Sequence, residues 1–310
     1  MKILKKWFLA FLSFILLFLA ATFIFHRISL EKEQASLTPI GQQVLVNGHQ
    51  INVYVEGDGP ETIVVLSGAG IASPILDFKE VSESLSKRYK VVIVERAGYG
   101  YSDDSNHSRD VMEVLSETRQ ALSQANVKGP FIILSHSMAS LESLAWQEKY
   151  PDEVKTLVGL DWALPASYEN LNQNQALITV AFWSSKIGLL RYFPESFYIK
   201  NPTLIETERK QYKLLAYKQL VSQAMLHESQ TVKENAKKVP SNINPKIPTL
   251  LLVSNGQGTS FGQSEWQHFA EKFASEKSNV KVIYMDAPHD LYHYQNHEVV
   301  SRIENFLKSN

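Results

Sequence analysis

The hydrophobic pattern of the chain begins with a stretch that has no alternation at all. Residues 7–25, Trp7 to Phe25, carry no charge, and Ser13 and Thr22 are their only polar side chains. Nineteen residues at helical rise span roughly 28 Å, about one hydrocarbon core. A short polar tether, Glu31 to Thr38, follows. Periodicity then sets in. Gln42–Val46 and Ile51–Val55 flank Asn47-Gly48, a strong local signature of a two-residue hairpin. Beyond it, short continuous apolar runs alternate with segments of helical spacing. Ile63–Leu66, Val91–Val94, Phe131–Leu134, Val154–Leu160, Thr249–Val253 and Val280–Met285 read as strands, most of them buried on both faces. Phe78/Val81/Leu85, Val111/Leu115/Thr118/Leu122, Leu141/Leu144/Ala145, Trp266/Phe269/Ala270/Phe273 and Val299/Ile303/Phe306 read as helix faces. Such alternation predicts a mostly parallel sheet of eight strands, covered by helices on both sides.

The alternation stops between Asp161 and Pro248. This stretch holds an aromatic and aliphatic cluster from Leu177 to Phe193. A helix-like segment, Glu206 to Leu226, follows with Leu214, Tyr217, Val221 and Met225 on one stripe. It reads as a helical insertion. The expected organisation is an anchor over 1–30, a tether over 31–41, a sheet domain over 42–161 and 246–310, and a helical cap over 162–245.

Composition changes little in this picture. The net charge of −1 offers no general argument for nucleic-acid binding. With no cysteine in the chain, disulfides, thiolate catalysis and Cys-ligated zinc are excluded. Charge matters at the amino terminus. Lys2, Lys5 and Lys6 precede the apolar run, so the positive-inside bias leaves the rest of the chain outside the cytoplasm. The expected location is a single-pass, uncleaved anchor in the cell membrane. The alternative is secretion after cleavage of a signal peptide near Ala20-Ala21; the run continues to Phe25, longer than a usual signal core.

Candidate chemistry sits where strands end, because ligands of such sheets bind beyond the carboxyl ends of the strands. The run Phe131–Leu134 leads without a gap into Ser135-His136-Ser137-Met138-Ala139 and then into a helix. Strand, sharp turn, Ser, helix is the context of a nucleophile elbow, whose crowded flanking positions must be small. Ser67-Gly68-Ala69-Gly70 follows the strand ending at Leu66, Asp161 follows Leu160, and His289 lies just past Met285. Read along the chain, the strand ends supply Ser, Asp and His in that order.

These residues make the chain similar to the α/β-hydrolase fold superfamily over roughly 42–308, in particular to its capped bacterial serine hydrolases. Ser135-His136-Ser137-Met138-Ala139 resembles Gly-His-Ser-Met-Gly. Glu95-Arg96-Ala97-Gly98-Tyr99-Gly100-Tyr101-Ser102 resembles Asp-Arg-Pro-Gly-Tyr-Gly-x-Ser. Ser67-Gly68-Ala69-Gly70 stands where the superfamily has His-Gly-x-Gly. The departures are Ser67 for His, Ser135 and Ala139 for Gly, and Glu95 for Asp.

The resemblance implies a nucleophile at Ser137, a general base at His289, and an oxyanion hole made by the backbone N–H groups of Ala69 and Met138. His136 is expected to support the elbow, and His293 and His297 to lie at the surface or line the pocket. Many relatives carry the acid after the seventh strand, but here Asn255–Ser264 contains no carboxylate and Gln257 stands in its place. Others carry it after the sixth strand, which points to Asp161. Asp290 adjoins the base and cannot easily face its ring. The implied activity is carboxylesterase- or lipase-like hydrolysis of an ester or similar acyl bond, without metal or organic cofactor. The expected partners are a small-molecule substrate with an apolar acyl part and, through the amino-terminal helix, a membrane. Nothing indicates an oligomeric state. An Asp nucleophile is absent, which disfavours epoxide and haloalkane hydrolysis. An aminopeptidase, a carbon–carbon bond hydrolase and a non-catalytic surface binding protein are the alternatives.

Overall fold

Asn47 and Gly48 both adopt positive φ, 49° and 83°, as a two-residue turn of matching twist requires. They close a hairpin in which Val46 faces His49. In the computed structural model, which describes residues 2–169 and 171–310, this hairpin starts the sheet. Met1 and Asn170, within the expected anchor and insertion, lie outside the described residues. In chain order the elements are α1 (Lys2–Gln34), β1 (Gln42–Val46), β2 (His49–Glu56), β3 (Thr62–Leu66), α2 (Pro74–Asp77), α3 (Lys79–Leu85), β4 (Lys90–Glu95), α4 (Val111–Gln124), β5 (Phe131–His136) and α5 (Ser140–Lys149). There follow β6 (Val154–Leu160), α6 (Gln175–Ile187), α7 (Glu206–Gln219), α8 (Gln223–Lys238), β7 (Thr249–Val253), α9 (Gln263–Ala274), β8 (Val280–Tyr284), α10 (Leu291–Tyr294) and α11 (Asn296–Lys308).

The eight strands form one sheet in the order β1-β2-β4-β3-β5-β6-β7-β8. β1, β2 and β4 pair antiparallel, and β3 to β8 pair parallel with their neighbours. β3, β5 and β7 are buried along their whole length, as their unbroken apolar sequences require. One apolar core lies on each face. Leu115, Leu122, Leu144 and Trp146 fill one, and Phe78, Leu85, Ile303 and Phe306 fill the other. The parallel strands all point their carboxyl ends the same way, so Leu66, His136, Leu160, Val253 and Tyr284 deliver the following loops to a single edge of the sheet.

Two expectations change in detail. The segment Glu206–Leu226 is two helices, because the Ser222 side chain accepts a hydrogen bond from Met225 N at 3.1 Å and caps a new helix. The tether is also shorter than the polar composition of 31–41 suggests. α1 continues to Gln34, where Glu33 is held by both terminal nitrogens of Arg191 at 2.7 Å.

Candidate active site

Ser137 leaves β5 with φ at 53°. A non-glycine residue is uncommon there, and the strain turns the chain sharply enough to present the hydroxyl beyond the strand. The departures from glycine on either side have local explanations. Ser135 is buried, and its hydroxyl accepts from Ser143 Oγ at 2.7 Å and Trp162 Nε1 at 2.8 Å. Its polar atom is therefore satisfied where a glycine would carry none. Ala139 is fully buried at the start of α5. Ser140 anchors the turn from below, donating to the Ala163 carbonyl at 2.6 Å.

His289 Nε2 lies 2.8 Å from Ser137 Oγ, and its Nδ1 lies 2.5 Å from Asp161 Oδ2. The Asp161 carboxylate is fully buried. Its other oxygen accepts from Ser254 N at 2.7 Å and Trp266 Nε1 at 2.8 Å. Asp161 also has positive φ, 47°, so β6 ends in a kink that aims the carboxylate back towards His289. With Oδ1 taken by two donors, Oδ2 is the oxygen left to accept the Nδ1 proton. That tautomer leaves Nε2 able to accept from the serine. The loop after β7, which lacks a carboxylate, contributes its backbone. Gln257 has an exposed side chain, but its carbonyl accepts from His289 N at 2.8 Å.

The loop after β3 comes close to the elbow. A Cβ on Gly68 would stand 2.8 Å from His136 Nδ1 and 2.9 Å from Ser137 Cβ, so only glycine allows that approach. Arg96 Nη2 donates to the Gly68 carbonyl at 3.3 Å. Glu95 is fully buried and accepts from Tyr101 N, Asn52 Nδ2 and Ile75 N. The carboxylate thereby ties the loop after β4 to β2 and α2. Burial pushes its pKa up to about 7. Ala69 and Met138, the expected oxyanion donors, both line the cavity in front of Ser137.

His136 is buried with its Nε2 3.2 Å from the His289 carbonyl, and the two rings are 4.6 Å apart. Burial, reinforced by the neighbouring His289, pushes its pKa down to about 4, so it is neutral at pH 7. His293 lines a cavity, with Nε2 3.4 Å from Asp77 Oδ1, whereas His297 is exposed. Asp290 faces Lys200 at 3.5 Å and His136 at 3.9 Å. Trp266, one residue of an apolar helix face in the sequence, and Ser254, directly after β7, are both partners of Asp161. Indole donation to a residue 105 positions away leaves no trace in periodicity. His49, His107 and Glu117 bring their ligand atoms within 4.8 Å of one another away from this site. Glu117 is already bound to Arg109 at 2.7 Å, and that positive charge opposes a cation.

Residues 62–188 match the family profile described as alpha/beta hydrolase fold. The chain belongs to the α/β-hydrolase superfamily. It is 32% identical to the uncharacterized protein YbdG of Bacillus subtilis (strain 168), over 99% of this chain and 98% of that one. It is 26% identical to the 2-(acetamidomethylene)succinate hydrolase of Mesorhizobium japonicum, over 45% and 49% of the two chains. Among solved structures it resembles an epoxide hydrolase from Bacillus megaterium in complex with an inhibitor, with a TM-score of 0.64 and 17% identity, covering 86% of this chain and all of that one.

In this hydrolase-fold chain, two cavities meet at Ser137. One of about 400 Å³ is mostly apolar, with Met138, Leu171, Ile178, Val221 and Met225 among its walls. The other, about 660 Å³, is more polar and includes Asp77, Lys200, Tyr212, Asp290 and His293. Ser137, His289, Ala69 and Leu220 border both. The insertion between β6 and β7 therefore contributes to each.

Proposed function

We propose that this protein is a membrane-anchored serine hydrolase that cleaves an ester or similar acyl bond through an acyl-enzyme on Ser137. The observation that carries the reading is the unbroken relay from Ser137 Oγ through His289 to Asp161, at 2.8 Å and 2.5 Å. His289 takes the hydroxyl proton as Ser137 attacks the carbonyl. The oxyanion is held by the N–H groups of Ala69 and Met138. Asp161 keeps Nδ1 protonated and stabilises the imidazolium. The imidazolium then protonates the leaving group, and water, activated by the same His289, releases the acid. Residues 162–245 act as a cap over a core formed by 42–161 and 246–310, and the apolar cavity supports a substrate with an apolar acyl part.

α1 is long and apolar enough to cross a membrane. Together with Lys2, Lys5 and Lys6 before the apolar run, this supports an uncleaved anchor with the hydrolase domain outside the cytoplasm. Ser137→Ala tests the chemistry. It removes a hydroxyl without altering the elbow, so labelling by a fluorophosphonate and hydrolysis of a chromogenic ester should both disappear while the melting temperature stays close to that of the parent. Labelling at full strength in the variant would show that another residue is the nucleophile.

A further inference from the structure

α6 is a wall of the apolar cavity, contributing Ile178 and Ala181. The adjoining, outward side is equally apolar. Leu177, Val180 and Trp183, spaced three residues apart, are 59–64% exposed, and Lys186 is the one charged residue of the helix. A surface helix ordinarily carries its charges on that side. Farther along the same insertion Tyr192, Phe193, Phe197 and Ile205 are exposed as well, and the Phe193 and Phe197 rings stack 5.2 Å apart. Large apolar side chains gathered on a surface in this way mark an interaction face.

What covers the patch is indicated by its continuity with α1. Gly188, which ends α6 at φ 90°, lies so close to α1 that a Cβ there would overlap the His26 side chain. Arg191 holds Glu33 through two 2.7 Å bonds and His26 Nδ1 through its Nε at 2.9 Å. Tyr192 Oη is 3.2 Å from Thr22 Oγ1, and its ring is 5.8 Å from that of Phe18. The cap thus grips α1 from Glu33 down to Phe18. Phe18 lies seven residues, about 10 Å at helical rise, inside the outer end of the apolar run. If that run occupies hydrocarbon, a body floating clear of the bilayer could not keep the Tyr192 contacts. The loop bearing Tyr192 and Phe193 has to enter the bilayer boundary. Interfacial elements reach about 5–10 Å deep, with aromatic side chains at headgroup level.

We infer that the outer face of the cap, from Leu177 to Ile205, is seated in the outer leaflet of the membrane that α1 crosses. The cavity beside Ser137 then receives the acyl chain of a lipid ester from that leaflet past α6. The entry is assigned to the side of α6 at Ala181, which both lines the cavity and is exposed. This inference rests on the anchor and nucleophile readings above. It assigns a bilayer-borne substrate class rather than a water-soluble ester.

The absence of cysteine from the chain makes the test direct. Full-length protein carrying Trp183→Cys, Phe193→Cys or, as an exposed control on β8 outside the insertion, Tyr284→Cys is labelled with an environment-sensitive fluorophore. It is then reconstituted into phosphatidylcholine–phosphatidylglycerol vesicles containing lipids with a nitroxide high on the acyl chain. The labels at 183 and 193 should lose most of their emission, and the label at 284 almost none. If 183 and 193 behave like 284 while the protein stays in the vesicles, the docked face is wrong. If the protein leaves the vesicles, the anchor reading fails and the docking with it. In a second arm, Leu177, Val180 and Trp183 are all replaced by Asn. Turnover of a long-chain ester embedded in the vesicles should fall about tenfold or more, as weakened interfacial seating implies, with turnover of a soluble short-chain ester unchanged. Equal rates on the embedded ester would overturn the assigned route. Quenching at 183 and 193 without hydrolysis of either ester by the parent protein would overturn the lipid-substrate assignment through its catalytic premise and leave the docked face standing.

Discussion

Replacing Asp161 by Asn probes the relay at its least ordinary member. The wild-type carboxylate accepts three hydrogen bonds: Ser254 N and Trp266 Nε1 reach Oδ1, and His289 Nδ1 reaches Oδ2. An Asn of the same shape has two orientations. Turning its NH₂ towards Ser254 and Trp266 sets a donor against two buried donors, each left unsatisfied at a cost of about 1–3 kcal/mol. Turning its oxygen that way keeps both bonds and points the NH₂ at His289. The second orientation is favoured by two bonds to one. There the amide donates to Nδ1, the ring proton moves to Nε2, and Nε2 can no longer accept from Ser137. In serine proteases this wrong tautomer lowers turnover by roughly 10⁴, about 5.5 kcal/mol of transition-state stabilisation. Asp161→Asn should therefore lower kcat by about 10²–10⁴ while KM stays within a few-fold, because the lost interaction belongs to the transition state. Gln257→Ala should be near-normal, because Gln257 meets His289 through its backbone carbonyl. The assay is steady-state hydrolysis of a chromogenic ester, paired with the rate of fluorophosphonate labelling. An Asp161→Asn enzyme that keeps near-normal turnover would falsify the sixth-strand acid and leave a Ser–His dyad or another partner.

Two further outcomes follow from the buried Glu95 and from α1. Glu95 has its pKa raised from 4.5 to about 7 by burial, so it contributes stability that is complete below about 4.5 and is lost as the pH rises through 7. In Glu95→Gln, the amide oxygen can keep the bonds from Asn52 and Tyr101 without a charge. The melting temperature of the parent should therefore fall between pH 5 and pH 8 relative to the variant, by about 3–6 °C; parallel curves would show that Glu95 does not change its ionisation. For topology, protease added to intact protoplasts should digest the hydrolase domain, and protection of the domain would reverse the proposed orientation.

The sheet was legible because its code is local. A strand buried on both faces must be apolar without interruption, and Phe131–Leu134 and Thr249–Val253 are. Asn47-Gly48 tolerates the left-handed conformation its turn adopts. Ser137, His289 and Asp161 could be singled out because parallel strands bring their carboxyl ends to one edge, so chain order translates into proximity. Side-chain partners were not legible, since nothing in a periodic pattern records a hydrogen bond between distant positions. The indole of Trp266 reads as one more apolar residue of a helix face, yet it donates to the Asp161 carboxylate. Ser135 reads as a loosened glycine, yet Ser143 and Trp162 satisfy it. Ser222 reads as part of a continuous helix, yet its side chain starts a new one.

Sequence alone determined the order of the elements, the apolar span ahead of them and which residues could do chemistry, because backbone propensity, burial and residue type are properties of short segments. Tertiary structure decided which oxygen of Asp161 remains free for His289 and which face of α6 looks into the cavity. It also decided that α1 is held by the segment between β6 and β7, through Arg191 and Tyr192, from Phe18 to Glu33 instead of leading into a free tether. Those outcomes depend on the positions of Trp266, Ser254, Gly188 and Arg191 relative to groups far away in the chain, and only packing sets such distances.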